Sequence, residues 1–272
     1  MSAKKRINAF QWISIWLFPF CQILSFVVFA MGISHHWAFV ILIPVAAFFL
    51  NFSLHITYHY TVHFPVRNVV WQTLLGMLKS AFMGLPFHYY AMSHWNHHKH
   101  NNDLDDFTST WQRKREEIVP KNVILYTLFW PFASTISLKD QLKIGIKEGY
   151  CTPRFLSRMA LELVSNSLFF IALGWLNWQW LIGYFVMVYL GWLLISLHNY
   201  GQHLPQTYAS PKANSYFAGW YNAIFVNNGL HEEHHEAPAK TYWELSASPQ
   251  TDLSEIKKPH LIEALFPTQR SN

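Results

Sequence analysis

Four long apolar stretches, set in two pairs, dominate the pattern of the chain. Nearly every position from about 10 to 31 is apolar or aromatic, and after a polar break at 32–36 the pattern resumes from 37 to about 58. A second pair covers about 159–176 and 178–197, joined at Asn177 by a turn too short to hold a domain. An α-helix needs about 20 apolar residues to cross a hydrocarbon layer, so each stretch is expected to be a transmembrane helix. Pro44 falls inside the second, where neighbouring helices can satisfy the backbone group it frees. The first stretch follows Lys4, Lys5 and Arg6 as a cleaved leader would. It is too long for one and lacks a good cleavage site, so a retained helix is expected.

Between the pairs, charged clusters such as 113–117 separate apolar pieces at 69–90 and 123–137, which read as amphipathic or interfacial helices. Residues 59–158 and 198–272 then form a cap on the membrane part, and 1–272 reads as one all-α integral membrane domain. Four crossings place both termini and the cap on one side, leaving only 32–36 and the Asn177 turn on the other. All 20 Lys and Arg residues fall on the first side. Positive residues beside membrane helices favour the cytoplasm, so both termini and the cap are expected there.

Composition agrees with this picture. Only 13% of residues are charged, about half the fraction usual in soluble domains. A formal charge of +5 raises nucleic acid as a partner, but the basic residues are dispersed rather than gathered on one module, which excludes it. Cys21 in an apolar run and Cys151 in a polar one suit neither a disulfide framework nor a thiolate metal site. The 13 Trp fit residence at membrane interfaces, with some left to line an apolar channel.

The 16 histidines are what composition leaves unexplained. His-x-x-His-His occurs twice, as His94/His97/His98 and His231/His234/His235, a spacing that puts three imidazoles on one helix face. Random placement would give about 0.05 such triplets per chain. Pairs at i, i+4 spacing follow the second and fourth apolar stretches: His59 with His63, where His55 is a further four residues back, and Asn199 with His203. A topology drawn without regard to histidine thus delivers every cluster to the same membrane face. So many imidazoles exceed what one tetrahedral zinc uses and indicate two metal ions. Imidazole suits iron, copper and zinc, and the oxygen-rich shell that magnesium or calcium would need is missing. Carboxylate-bridged di-iron bundles use paired Glu-x-x-His, and only Glu232-x-x-His235 has that spacing.

At these clusters the chain resembles the membrane fatty acid desaturase superfamily. The stretch from Gly76 through Pro86 to Ser93-His94 carries glycine, proline and serine where plant-type acyl-lipid desaturases place them before their second histidine box. His94-Trp-Asn-His-His-Lys-His100 with Asp105-Asp106-Phe107 resembles that box and its acidic sequel, seen also in carotenoid ketolases. Asn199-Tyr-Gly-Gln-His203 and the segment from Asn227 to Pro238 resemble the late boxes of short bacterial desaturases. The likeness runs from about Phe10 to Leu245.

The resemblance implies four transmembrane helices carrying a cytosolic helical cap with a non-haem di-iron site. By that pattern His59, His63, His94, His97, His98, His203, His231, His234 and His235 are ligands, and Asn199 is a ligand or holds a metal-bound water. His59 and His63 are preferred for the first box because the distance to Gly76 is close to the plant-type spacing; His55 is the alternative. The implied activity is desaturation of a fatty acyl chain, carried on lipid, CoA or a carrier, with O2 and two electrons. A carotenoid ketolase or hydroxylase, or an alkane or lipid hydroxylase, is the alternative on the same scaffold. A membrane metal transporter is the alternative of another class, although transporter sites usually lie near the bilayer midplane. No haem, flavin or dinucleotide motif is visible, so electrons must come from a separate carrier, with ferredoxin or cytochrome b5 and its reductase as candidates.

Asp103, Asp105 and Asp106 either orient imidazoles or cap a solvated loop, and His100 and His198 adjoin boxes, where they could support ligands. Glu232 and Glu233 point away from the histidine face. Glu162 and Asn166 are costly in lipid unless turned inward. His35, His36, His88 and His260 read as interfacial or surface residues.

Overall fold

The computed structural model describes residues 8–32, 35–205, 208, 213–246 and 255–268, without the Ser134 side chain; Lys4, Lys5 and Arg6 lie outside them. Four helices are long and apolar enough to cross a membrane: α1 (Ala9–Met31), α2 (His36–His63), α7 (Pro153–Leu176) and α8 (Trp178–Gln202). Asn8 and Gln11 form a reciprocal cap on α1. Thr152 caps α7, with Pro153 in the first turn where its missing N–H costs nothing, and Asn177 caps α8. Three of these helices overrun the expected spans on the cap side. The overhangs carry His59 and His63 on α2 and Asn199 on α8, so the helices act as stalks that lift polar side chains out of the apolar layer.

Outward faces of the four helices are apolar and bare, as with Leu17, Phe20 and Leu24 on α1 and Leu161, Leu168 and Ile171 on α7. The inward face of α7 is the unusual one: its buried residues are Phe155, Glu162, Asn166 and Leu173. Glu162 and Asn166 are therefore turned inward, as their cost in lipid requires. The Glu162 carboxylate accepts from the His88 backbone N–H at 2.9 Å and from His88 Nδ1 at 2.6 Å. It passes over Gly76, where any Cβ would collide with it. His88, expected at the surface, is thus buried, because its partner lies on a helix 74 residues away. His260, expected likewise, is also fully buried, with Nε2 on the Asn214 carbonyl at 3.1 Å. His35 and His36 are exposed as expected.

The cap is built from α3 (Val69–Met83), α4 (Phe87–His100), α5 (Val123–Ile136), α6 (Leu138–Lys147), α9 (Gly219–Ile224), α10 (His231–Glu236) and α11 (His260–Leu265). The apolar piece at 69–90 is two helices, because Gly84 at φ 80° closes α3 and Pro86 starts α4. The charged cluster at 113–117 lies in an antiparallel hairpin, β1 (Trp111–Lys114) with β2 (Glu117–Pro120), paired from Trp111 opposite Pro120 to Lys114 opposite Glu117. Helical periodicity gave no hint of it. Exposed apolar rows on α3 (Val70, Trp71, Leu74) and α5 (Leu125, Phe129, Phe132) match the interfacial reading of both.

Candidate metal centre

All nine histidines singled out as ligands converge, and they do so in two groups. His59, His63, His94, His98 and His234 form one, and His97, His203, His231 and His235 the other; within each group the candidate ligand atoms lie within 4.8 Å of one another. Both His-x-x-His-His helices divide alike. On α4, His94 and His98 go to the group of five and His97 to the group of four; on α10, His231 and His235 go to the group of four and His234 to the group of five. Residues four apart share a direction and the residue between them diverges from it, so one short motif serves two centres.

The π-helical turn Ser53–Tyr58 within α2 separates the candidates for the first box. There the His59 N–H reaches the Leu54 carbonyl five residues back, which breaks the regular stacking of positions four apart. His55 therefore joins neither group. Its ring lies against His198 at 4.1 Å between centroids, and its Nε2 is buried without a partner among the described residues.

Hydrogen bonds behind the imidazoles set their tautomers. His97 Nδ1 lies 2.7 Å from Asp106 Oδ2, and His59 Nδ1 lies 2.8 Å from the Tyr242 hydroxyl. The Tyr242 hydroxyl in turn donates to the His55 carbonyl at 2.8 Å. Each arrangement uses the Nδ1–H and leaves the Nε2 lone pair facing its group. Burial opposes the charge on Asp106, but His97 and the N–H and O–H of Thr108 outweigh it and hold the carboxyl down at about 2. Burial pushes His94, His98, His231, His234 and His235 below the ordinary imidazole range, and repulsion between neighbouring rings adds to it. They stay neutral, the form that binds metal.

The donor set fits two cations. Nε2 atoms face each other at 2.8 Å (His59 and His234), 2.9 Å (His63 and His94) and 3.0 Å (His98 and His234) in one group. In the other they do so at 2.9 Å (His203 and His231) and 3.1 Å (His97 and His235). A neutral imidazole offers one N–H and one lone pair, so converging Nε2 atoms cannot all satisfy one another. A shared cation satisfies them together, and with imidazole as the only donor in each group among the described residues the suitable ions include iron, copper and zinc.

Asn199 stands beside the group of four. Its Nδ2 donates to the Tyr126 hydroxyl at 2.7 Å and the Thr108 carbonyl at 3.2 Å, so its oxygen is the atom left over. A cavity of about 60 Å³ is lined by Asn199, Thr108, four of the nine histidines and, on its apolar side, Leu54, Tyr90, Trp130 and Ile195.

Of the supporting residues read from sequence, Asp106 touches a histidine of the groups. Asp105 is exposed and its backbone carbonyl accepts from Asn96 Nδ2 at 3.3 Å; His100, half-buried at the end of α4, belongs to neither group. Glu233 is buried against Ser215 rather than facing the groups. Tyr242, Tyr126 and Thr108 escaped the sequence reading. Thr108 stands two residues from Asp106 and could have been flagged as a possible loop cap, but Tyr242 meets His59 across 183 residues with no local signal.

A model of the fatty acid desaturase family matches residues 35–250, a span that holds all nine histidines. No curated protein and no solved structure matches the chain. With four helices of membrane-spanning length and two histidine groups able to hold metal, the matched span shows that this chain belongs to the fatty acid desaturase family.

Proposed function

We propose that this protein is an O2-dependent desaturase of lipid acyl chains, with two irons held by His59, His63, His94, His98 and His234 and by His97, His203, His231 and His235, and with Asn199 completing the second set. The observation that carries this reading is the division of nine imidazoles into two adjoining groups. Bound iron supplies the O2-dependent oxidising power that side chains lack for breaking a methylene C–H bond. The overall change balances as R–CH2–CH2–R plus O2, two electrons and two protons giving R–CH=CH–R plus two waters.

The chain's own part is to hold, orient and exclude. Asp106 and Tyr242 fix two rings through Nδ1, and Tyr126 fixes Asn199. Leu54, Tyr90, Trp130 and Ile195 give the cavity an apolar wall suited to a methylene chain and poor for water. The electrons come from a separate carrier, ferredoxin or cytochrome b5 with its reductase. Every Lys and Arg lies on the cap side of the four apolar stretches, with Arg154 and Arg158 in the cap-side end of α7, and this supports a cytoplasmic location for the cap and both termini.

Expression in a host with a simple lipid profile, followed by mass spectrometry of total fatty acids and pigments, tests the reading. New unsaturated acyl chains that disappear with His63→Ala are expected. Hydroxylated acyl chains or ketocarotenoids in their place would overturn the desaturase assignment.

A further inference from the structure

The cavity of about 60 Å³ beside the histidines is too small for more than a short stretch of acyl chain. A larger one, of about 420 Å³, is lined by Leu85, Tyr89, Leu138, Met159, Leu163 and Trp192 among others and has no charged side chain in its wall. Leu163, on the outward side of α7, is 57% exposed, so this cavity borders the lipid. Trp130 lines the histidine cavity and Trp192 the larger one. Their rings stack with centroids 5.4 Å apart and planes 24° apart, which makes the pair the partition between the two spaces.

The two indoles are held differently. Trp192 Nε1 donates to the Met83 carbonyl at 3.0 Å and is tethered. Trp130 Nε1 is buried without an acceptor among the described residues. Trp130 also precedes Pro131, which cannot donate to the carbonyl of Thr127 four residues back; Ser196 Oγ lies 3.2 Å from that carbonyl but 3.0 Å from the Trp192 and Leu193 carbonyls of its own helix. Helix α5 therefore lacks one hydrogen bond in the turn that carries Trp130. On its other side, Trp130 borders a third cavity of about 280 Å³ whose wall includes Lys121, Gln112 and Asn122. One ring thus stands where an apolar space, the histidine cavity and a space with a polar rim meet.

We propose that Trp130 is a movable wall that determines specificity: the methyl end of the acyl chain occupies the 420 Å³ cavity, the polar end lies toward Lys121 and Gln112, and Trp130 sets which carbons stop beside the histidines. This rests on the acyl-chain reading above. Carbons beyond the reacting pair need apolar volume continuous with the histidine cavity, and the 420 Å³ space supplies it across a single pair of rings. An untethered indole next to a proline can swing aside without breaking a hydrogen bond, whereas the Trp192 indole cannot.

The test uses the full-length, iron-loaded protein with a graded series of saturated acyl chains, comparing wild type, Trp130→Leu and Trp130→Ala. Two quantities are read, the positional isomers of the product and the equilibrium binding of each chain length. Trp130→Ala is expected to change the ratio of positional isomers by about tenfold, the low end of what one methylene of fit is worth in an apolar pocket. It is also expected to move the tightest-binding chain to a longer one, with Trp130→Leu in between and iron content unchanged in both. An unaltered isomer ratio and unaltered length preference would overturn the proposal. Loss of iron in both variants would overturn it equally, since a wall residue is not needed to hold metal. If wild type oxidises no acyl chain, the functional reading fails alone, because the binding series still reports whether Trp130 limits chain length.

Discussion

The two histidine groups are built to one plan and differ at one position. Each takes an i, i+4 pair and a single residue from the His-x-x-His-His helices, and each is completed from the cap-side end of a long apolar helix. Helix α2 contributes His59 and His63; at the end of α8 the same spacing holds Asn199 and His203. An amide thus stands in sequence where the other group has an imidazole, and on the proposed reading the group of four would hold its metal with one weaker, exchangeable place. The outer support differs too: a charged carboxylate, Asp106, backs the group of four at His97, whereas a neutral hydroxyl, Tyr242, backs the group of five at His59.

The largest effect should come from removing a member of either group. His63→Ala in the group of five and His235→Ala in the group of four are each expected to abolish product and lower bound iron, read by metal analysis and by product formation. If one of the two left both unchanged, the plan of two paired centres would fail. Asp106→Asn comes next. It keeps the shape and removes the charge behind His97, and such partners typically change metal affinity or activity by about 10–100-fold. Tyr242→Phe removes a neutral partner and should cost less, about 0.5–1.5 kcal/mol of stability with iron retained. An equal loss in the two variants would mean that the charge on Asp106 is not what distinguishes the groups.

Acidity should act on the buried imidazoles and on Asp106 in separate windows. His94, His98, His231, His234 and His235 have folded pKa values below the ordinary one, so the unfolded chain binds more protons as pH falls through about 6.5. Their neutral burial carries no penalty above that pH and destabilises the fold below it, by up to about 1.4 kcal/mol per pH unit for each ring. Asp106, held at about 2 against an ordinary value of 3.8, contributes stability above its unfolded pKa that is lost only as pH falls from there toward 2. The thermal unfolding midpoint of the metal-free protein should therefore fall on going from about pH 7 to about pH 5.5, before Asp106 protonates. A flat profile over that range would contradict the burial of neutral imidazoles.

The smallest effect on iron and turnover separates first-box candidates. His55→Ala should keep both iron and substantial activity, at a cost of roughly 1–3 kcal/mol at most. Loss of iron in His55→Ala with retention in His63→Ala would reassign the box to His55 and His59.

Much of the membrane fold was legible because a four-helix hydropathy pattern is dictated by bilayer thickness, which acts on each segment locally. The grouped histidines were legible for a similar reason: helical spacing alone aligns His94 with His98 and His231 with His235. Spacing could not say that each triplet splits between two centres, because that depends on how α4 and α10 face one another. Nor could it separate His55 from His59 and His63, since a π-helical turn leaves no mark on a pattern of residues four apart. His88 and His260 looked like surface residues because their partners, Glu162 and the Asn214 carbonyl, are distant in sequence. Tyr242 was invisible for the same reason. The hairpin at 111–120 is short and charged, and with strands of four residues it offers no alternation long enough to read.

The central claim is that nine histidines and one asparagine hold two irons in unequal surroundings. Metal analysis of the purified protein, joined to Mössbauer spectroscopy of the iron-loaded form, tests it most directly. Two irons per chain are expected, with two distinct iron signals, one of which alone shifts in Asn199→His. One tightly held zinc without iron would contradict the account, and two irons indifferent to Asn199→His would contradict the inequality of the two sites.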